Sequence, residues 1–119
     1  MTLKHFKLSE FDSPDQRGSG VLMSQEFLRL LDSARDGAGI PFRITSGYRT
    51  TLRNQQVGGV ENSSHLKGVA CDIAVTSNRN RIIIIASLLD VGIQRIGVHD
   101  TFVHCDIDID KPTPRMWLY

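Results

Sequence analysis

Little is present in excess in this chain of 119 residues, and several absences narrow its function at once. Cysteine occurs only as Cys71 and Cys105, which excludes the disulfide framework of a small secreted scaffold, and neither belongs to a CxxC pair. Charge of one sign is lacking too. Fourteen Lys+Arg stand against thirteen Asp+Glu, so the net charge of +1 supplies no basic field of the kind that drives nucleic-acid binding. The only strongly apolar run, Ile82 to Leu89, is too short to cross a bilayer, so membrane insertion is not expected. Residues 1–20 carry Lys4, Lys7, Glu10, Asp12 and Asp15 without an apolar stretch of signal-peptide length, and no export signal is read from them. There is no internal repeat and no low-complexity tract. What remains, 40% hydrophobic and 23% charged residues, fits one domain over 1–119.

Periodicity gives a mixed α and β order. Residues 9–20 (SEFDSPDQRGSG) read as an irregular opening loop. Ser24 caps a predicted helix whose apolar residues Phe27, Leu30, Leu31 and Ala34 recur at three and four, stopped by Gly37 or Gly39. Residues 42–45 (FRIT) form a short predicted strand, turned by Ser46-Gly47 into Tyr48-Arg49, and Thr50 to Gln56 a short helix. Residues 58–64 (GGVENSS) are a turn-rich loop. From Gly68 to Val75 the pattern alternates, with Val69, Cys71, Ile73 and Val75 on one side and Ala70, Asp72 and Ala74 on the other. Asn78 precedes a predicted helix from Arg79 to Leu89, although four consecutive isoleucines make strand the local rival. Residues 93–98 read as a strand. Residues 102–109 alternate again, with Phe102, His104, Asp106 and Asp108 opposite Val103, Cys105, Ile107 and Ile109. Pro112 and Pro114 are expected to end any ladder, leaving Trp117 and Tyr119 to cover the domain edge.

Two strands thus each carry an ionisable group on the face opposite their apolar side, Asp72 on one and His104 on the other. His65 lies seven positions before Asp72, an odd separation that in an unbroken strand sends it to the wrong face. A bend is required, and Gly68 with the loop ending at Ser64 supplies it. Taken singly, these are an ordinary loop histidine, a turn aspartate and a strand histidine. Yet Asp72 sits in VACDIAV with no Arg or Lys in the local sequence, and a buried carboxylate needs a cation. Two imidazoles and a carboxylate with an open position are the ligand set of a catalytic zinc ion, which acidifies water and polarises a carbonyl.

The wording of these segments is specific. Residues 63–72 (SSHLKGVACD) match SxHxxGxAxD, preceded by Ser46-Gly47-Tyr48-Arg49 and followed by Phe102-Val103-His104. From about Phe6 to Asp108 the chain resembles the zinc D-alanyl-D-alanine carboxypeptidase family, which includes bacterial dipeptidases and phage cell-wall endopeptidases and is distantly similar to the hedgehog signalling domain. The resemblance implies a small α+β domain, an antiparallel sheet with helices packed on one side. It further implies Zn2+ held by His65, Asp72 and His104, and cleavage of peptidoglycan stem peptides, with those peptides as the partner of a monomer. It matches Arg49 to the arginine that stabilises the developing oxyanion and Ser63 to a serine lining the cleft; Tyr48 joins them as a substrate-binding candidate. An arginine projected from a glycine turn is suited to that oxyanion role on physical grounds as well.

The general base departs from the family pattern. Many members carry a Glu, Asp or His three residues before the last metal histidine, where this chain has Thr101, which cannot take a proton from water. Asp106, on the face of His104, is a base or a partner that orients His104; Asp100 is ranked equal as a base and His99 lower. Asp108 and Asp110 read as solvated strand-end charges. Cys105, a strand neighbour of His104, points to the opposite face, so no Cys-His nucleophile forms, and both cysteines read as reduced core residues. His5 has no neighbouring partner and no role. The alternatives are a zinc-containing binding domain of the same fold with weak catalysis and, less well matched in order, a non-haem iron enzyme using His65, His104 and Asp106. The lack of an export signal leads to the expectation of cytoplasmic synthesis, with action at the cell wall on release or as a virion component, as for a phage or prophage enzyme.

Overall fold

Alternation in two segments builds the centre of the sheet. The structure, a computed structural model, describes residues 2–119. Five strands, β1 (Ile44–Ser46), β2 (Ala70–Ala74), β3 (Arg95–Val98), β4 (Phe102–Asp106) and β5 (Arg115–Leu118), form one sheet in the order β1-β2-β4-β3-β5. All pairs are antiparallel except β3–β5. The helices are α1 (Gln25–Ala38), α2 (Thr51–Gln56) and α3 (Asn78–Asp90), and three 3-10 turns cover Leu8–Phe11, Ser19–Leu22 and Ser64–Lys67. This is the expected α+β architecture.

The apolar face of the sheet, with Cys71, Ile73, Ile96, Val103 and Cys105, meets Phe27, Leu28, Leu31 and Ala34 of α1 and Ile84 and Leu88 of α3 in one buried core. Ser24 caps α1 by accepting the Phe27 N–H at 3.2 Å, and Gly39 ends it. The isoleucine run is helical: Ile84 is buried while Ile82 is 67% exposed, as helical spacing dictates. Ser77 is its cap, accepting the Asn80 N–H at 3.1 Å.

Three expectations need correction. The last predicted strand stops at Asp106 instead of running to Ile109, because the chain turns so that Asp108 is buried rather than solvated. The prolines do not end the sheet: they sit in the loop outside it, and residues 115–118 resume as β5 beside β3, so Trp117 and Tyr119 arrive on an added edge strand. β1 starts at Ile44, two residues later than the reading of 42–45, and Phe42 joins the core.

Register decides what meets on the other face. Val75 N–H donates to Thr101 O (3.0 Å) and Ile107 N–H to Val69 O (3.1 Å), so along this ladder Cys71–Cys105 is a hydrogen-bonded pair and Asp72–His104 a non-hydrogen-bonded one. Non-hydrogen-bonded partners hold their side chains closest. The two cysteines, free and buried with Sγ atoms 3.8 Å apart, behave as the core residues expected of them.

Candidate metal centre

Asp72 and His104 lean together from their paired positions, with Asp72 Oδ1 3.0 Å from His104 Nδ1. His65 reaches the same face from the 3-10 turn. Ser63 Oγ caps that turn by accepting the His65 N–H at 3.2 Å, and Gly68 ends it at φ +71°. A Cβ on Gly68 would stand 2.5 Å from Leu22 O, so both backbone angle and space demand glycine at the bend. His65 Nε2 comes within 3.4 Å of Asp72 Oδ1. All three residues are buried, and one ligand atom from each lies within 4.8 Å of the others.

The outer nitrogens determine which inner ones are free. Gly47 O, which only accepts, lies 2.8 Å from His65 Nδ1; that nitrogen carries the hydrogen and Nε2 presents a lone pair. On His104 the outer atom is Nε2, which donates to Asp106 Oδ2 at 2.7 Å, leaving Nδ1 toward Asp72. Two imidazole nitrogens, each oriented from behind, and a carboxylate oxygen fit a divalent cation of the zinc type. Burial alone would lift the Asp72 carboxyl, but hydrogen bonding to His104 and His65 outweighs it and holds Asp72 well below the usual carboxylate range. Burial alone would lower the His104 imidazole, but Asp106 and Asp72 carry it up to about 9.

The three side chains line a cavity of about 380 Å³ together with Arg49, Ser63, Lys111 and Trp117. Residues 4–106 match the family model described as Peptidase M15. The chain belongs to this family of zinc D-Ala-D-Ala carboxypeptidase-like enzymes. No curated protein matches it. Membership of the M15 peptidases supports a metallopeptidase, and the His-Asp-His group is its potential metal site.

Other candidate residues of this M15 chain fall into two groups. Arg49 is at the cleft: its Nη2 stands 3.5 Å from Asp72 Oδ2, its Nε donates to Ser46 Oγ (3.1 Å) and its Nη1 to Asn54 Oδ1 (3.2 Å). It is also the cation that the local sequence around Asp72 lacks, brought in by the fold from β1's exit turn. Ser63 lines the cleft as well. Asp106 lies behind His104, 1% exposed, with Oδ1 accepting from Arg95 Nε at 2.7 Å and from Asp108 N–H at 3.0 Å. Its geometry is that of the orienting partner.

Tyr48 and Asp100 are not brought to the centre. Tyr48 packs against the core beside Phe11, whose carbonyl accepts its N–H, because the turn that sends Arg49 outward sends Tyr48 inward. Asp100 is exposed on the turn between β3 and β4 and lines a separate hollow with Arg81 and His99. His5 bonds Asp36 at the surface, a partner far away in sequence. Sequence reasoning missed Arg95, Asn54 and Lys111. For Arg95 a signal existed: a charged residue in the otherwise apolar IQRIGV strand, in register with Asp106.

Proposed function

We propose that this M15 chain is a zinc peptidase that hydrolyses peptide bonds of peptidoglycan stem peptides, of carboxypeptidase or endopeptidase type, with a phage or prophage lytic role. The observation that carries the reading is the convergence of His65, Asp72 and His104 with both imidazoles held by their outer nitrogens. Zinc held by His65 Nε2, Asp72 and His104 Nδ1 supplies an acidified water and a polarised carbonyl. The chain's own residues do the rest. Arg49, fixed by Ser46 and Asn54, donates to the oxygen on which charge develops, and its fixed position spares reorganisation at that moment. Gly47 O and Asp106 keep the two imidazoles in the tautomers that present a lone pair to the cation. Residues 57–60 and Trp117, which line the cleft, receive the peptide.

One observation favours a second reading, a binding domain with weak catalysis. Among the described residues lining the cleft the carboxylates are Asp72 and Asp106, and Asp106 already serves His104 and Arg95. Digestion of purified peptidoglycan followed by mass spectrometry of the released muropeptides decides between them. Turnover above a His65→Ala control is expected, and the masses name the bond. Tight binding of peptidoglycan with product formation equal to that control would establish the binding domain instead.

A further inference from the structure

We propose that Lys111 is the anion anchor of the cleft, binding a carboxylate of the peptide substrate, either the chain terminus or an acidic side chain; this rests on the peptidase reading of the same site. The loop after β4 turns inward and buries Asp108, which is 2% exposed. Asp108 is satisfied without Lys111: Lys67 Nζ reaches its two oxygens at 2.9 and 3.1 Å, Ser64 Oγ donates at 2.7 Å and Asp110 N–H at 3.1 Å. Lys111 Nζ stands 3.7 Å from the nearer Asp108 oxygen, beyond hydrogen-bonding distance. Its close partner is the neutral Ser64 Oγ, at 2.9 Å, which accepts from Lys111 while donating to Asp108.

An ammonium has three donors. Here it is largely enclosed, its side chain 19% exposed, on the wall of the cleft that holds His65 and His104. The other cations of that wall have their own tasks: Arg49, held by Ser46 and Asn54, keeps its remaining donors for the oxyanion, and Arg95 is bound to Asp106 and the Pro112 carbonyl. Lys111 is therefore the cation left, among the described residues of the cleft, to meet an anion other than the oxyanion. A largely enclosed ammonium on the wall of a peptide site selects an anion that arrives with the substrate, and a carboxylate is the anion a peptide carries.

The test compares the zinc-loaded chain with Lys111→Gln and Lys111→Arg on three synthetic stem peptides: one with all carboxylates free, one with the terminal carboxylate amidated, and one with the acidic side chain amidated. Lys111→Gln is expected to raise KM about tenfold or more on the free peptide while kcat and zinc content hold. Amidating the carboxylate that Lys111 reads raises the KM of the unaltered protein by a similar factor and removes the effect of the substitution, which identifies the source; Lys111→Arg recovers most of the loss. Equal effects on all three peptides, or a fall in kcat at constant KM, overturn the proposal and leave Lys111 a brace for Ser64. If no peptide is cleaved, the peptidase reading fails separately, and quenching of Trp117, the sole tryptophan and a neighbour in the cleft, still decides Lys111. Weaker binding of the free peptide by Lys111→Gln with no change for one amide supports the anchor; identical titrations end it.

Discussion

Asp106 holds His104 by its outer nitrogen, Oδ2 to Nε2 at 2.7 Å, and is itself held by Arg95 at 2.7 Å. Arg95 in turn lies under the Trp117 ring, 5.0 Å from its centroid. A nitrogen of the candidate metal site on β4 is thus aimed by a chain of contacts that crosses β3 and ends on β5.

Removing the middle of that chain is expected to loosen the centre. Asp106→Ala frees the His104 ring to rotate and leaves Arg95 buried without its carboxylate. Zinc affinity should fall about 10- to 100-fold, measured by competition with a chromogenic chelator. An unchanged affinity would show that packing alone orients the ring.

Arg49 is expected to behave in the opposite way. Its guanidinium touches Asp72 at 3.5 Å but contributes no ligand atom. Arg49→Ala should keep a full complement of zinc and lose about 100-fold or more in kcat on stem peptides. Loss of the metal along with activity would make it a structural counter-ion of Asp72.

Protonation links stability to the metal. In the metal-free protein His104 is carried from 6.5 up to about 9 by Asp106 and Asp72, against burial. A raised imidazole stabilises the fold fully below 6.5, and that contribution is lost as pH rises through about 9. Zinc must displace the Nδ1 proton, so its affinity grows over the same interval. Thermal unfolding of chelator-treated protein should therefore show a midpoint that falls from pH 6.5 to 9, while the increase on adding zinc becomes larger. A metal-free midpoint that does not move across this range contradicts the linkage.

Much of this site was legible in the residues themselves. Alternation around Asp72 and His104 revealed two-faced strands, and the odd spacing of His65 demanded the bend that Gly68 makes. What escaped was non-local. Arg49 answers the charge of Asp72 from a turn that no local pattern links to it, and Tyr48 beside it turns into the core. Asp108 continued the polar alternation of its strand, but the strand ended at Asp106, and Lys67 with the Ser64 hydroxyl, distant in the chain, made its burial tolerable. The prolines signalled an end to pairing, which holds for their own positions and not for the residues after them.

Asp108 should show its burial as stability. Burial raises its carboxyl, yet the Ser64 hydroxyl and the Lys67 ammonium outweigh this and bring it down from 3.8 to about 2. That stabilisation is present above 3.8 and lost as pH falls through about 2. Asp108→Ala is expected to cost about 2 kcal/mol at neutral pH, discounted because Lys67 keeps contact with water. Denaturant melts at pH 7 and pH 2 check both parts, since the difference between variant and parent should shrink in acid.

Gly97 pairs with His104 across the sheet and lies beneath Trp117; a Cβ there would come within 2.7 Å of the indole nitrogen. Gly97→Ala should push the ring away, at about 1–3 kcal/mol, and shift the tryptophan emission. Unaltered emission and stability would mean the ring has room to slide.

The Asp72–His104 rung has a consequence for how this chain tolerates change. Side chains along a strand flip sides with each residue, so candidate site and core share one parity: slipping β2 against β4 by a single position pulls Asp72 and His104 out of opposition. Loops can lengthen around such a ladder, whereas an odd insertion within either strand would cost the candidate metal site and the fold in one stroke.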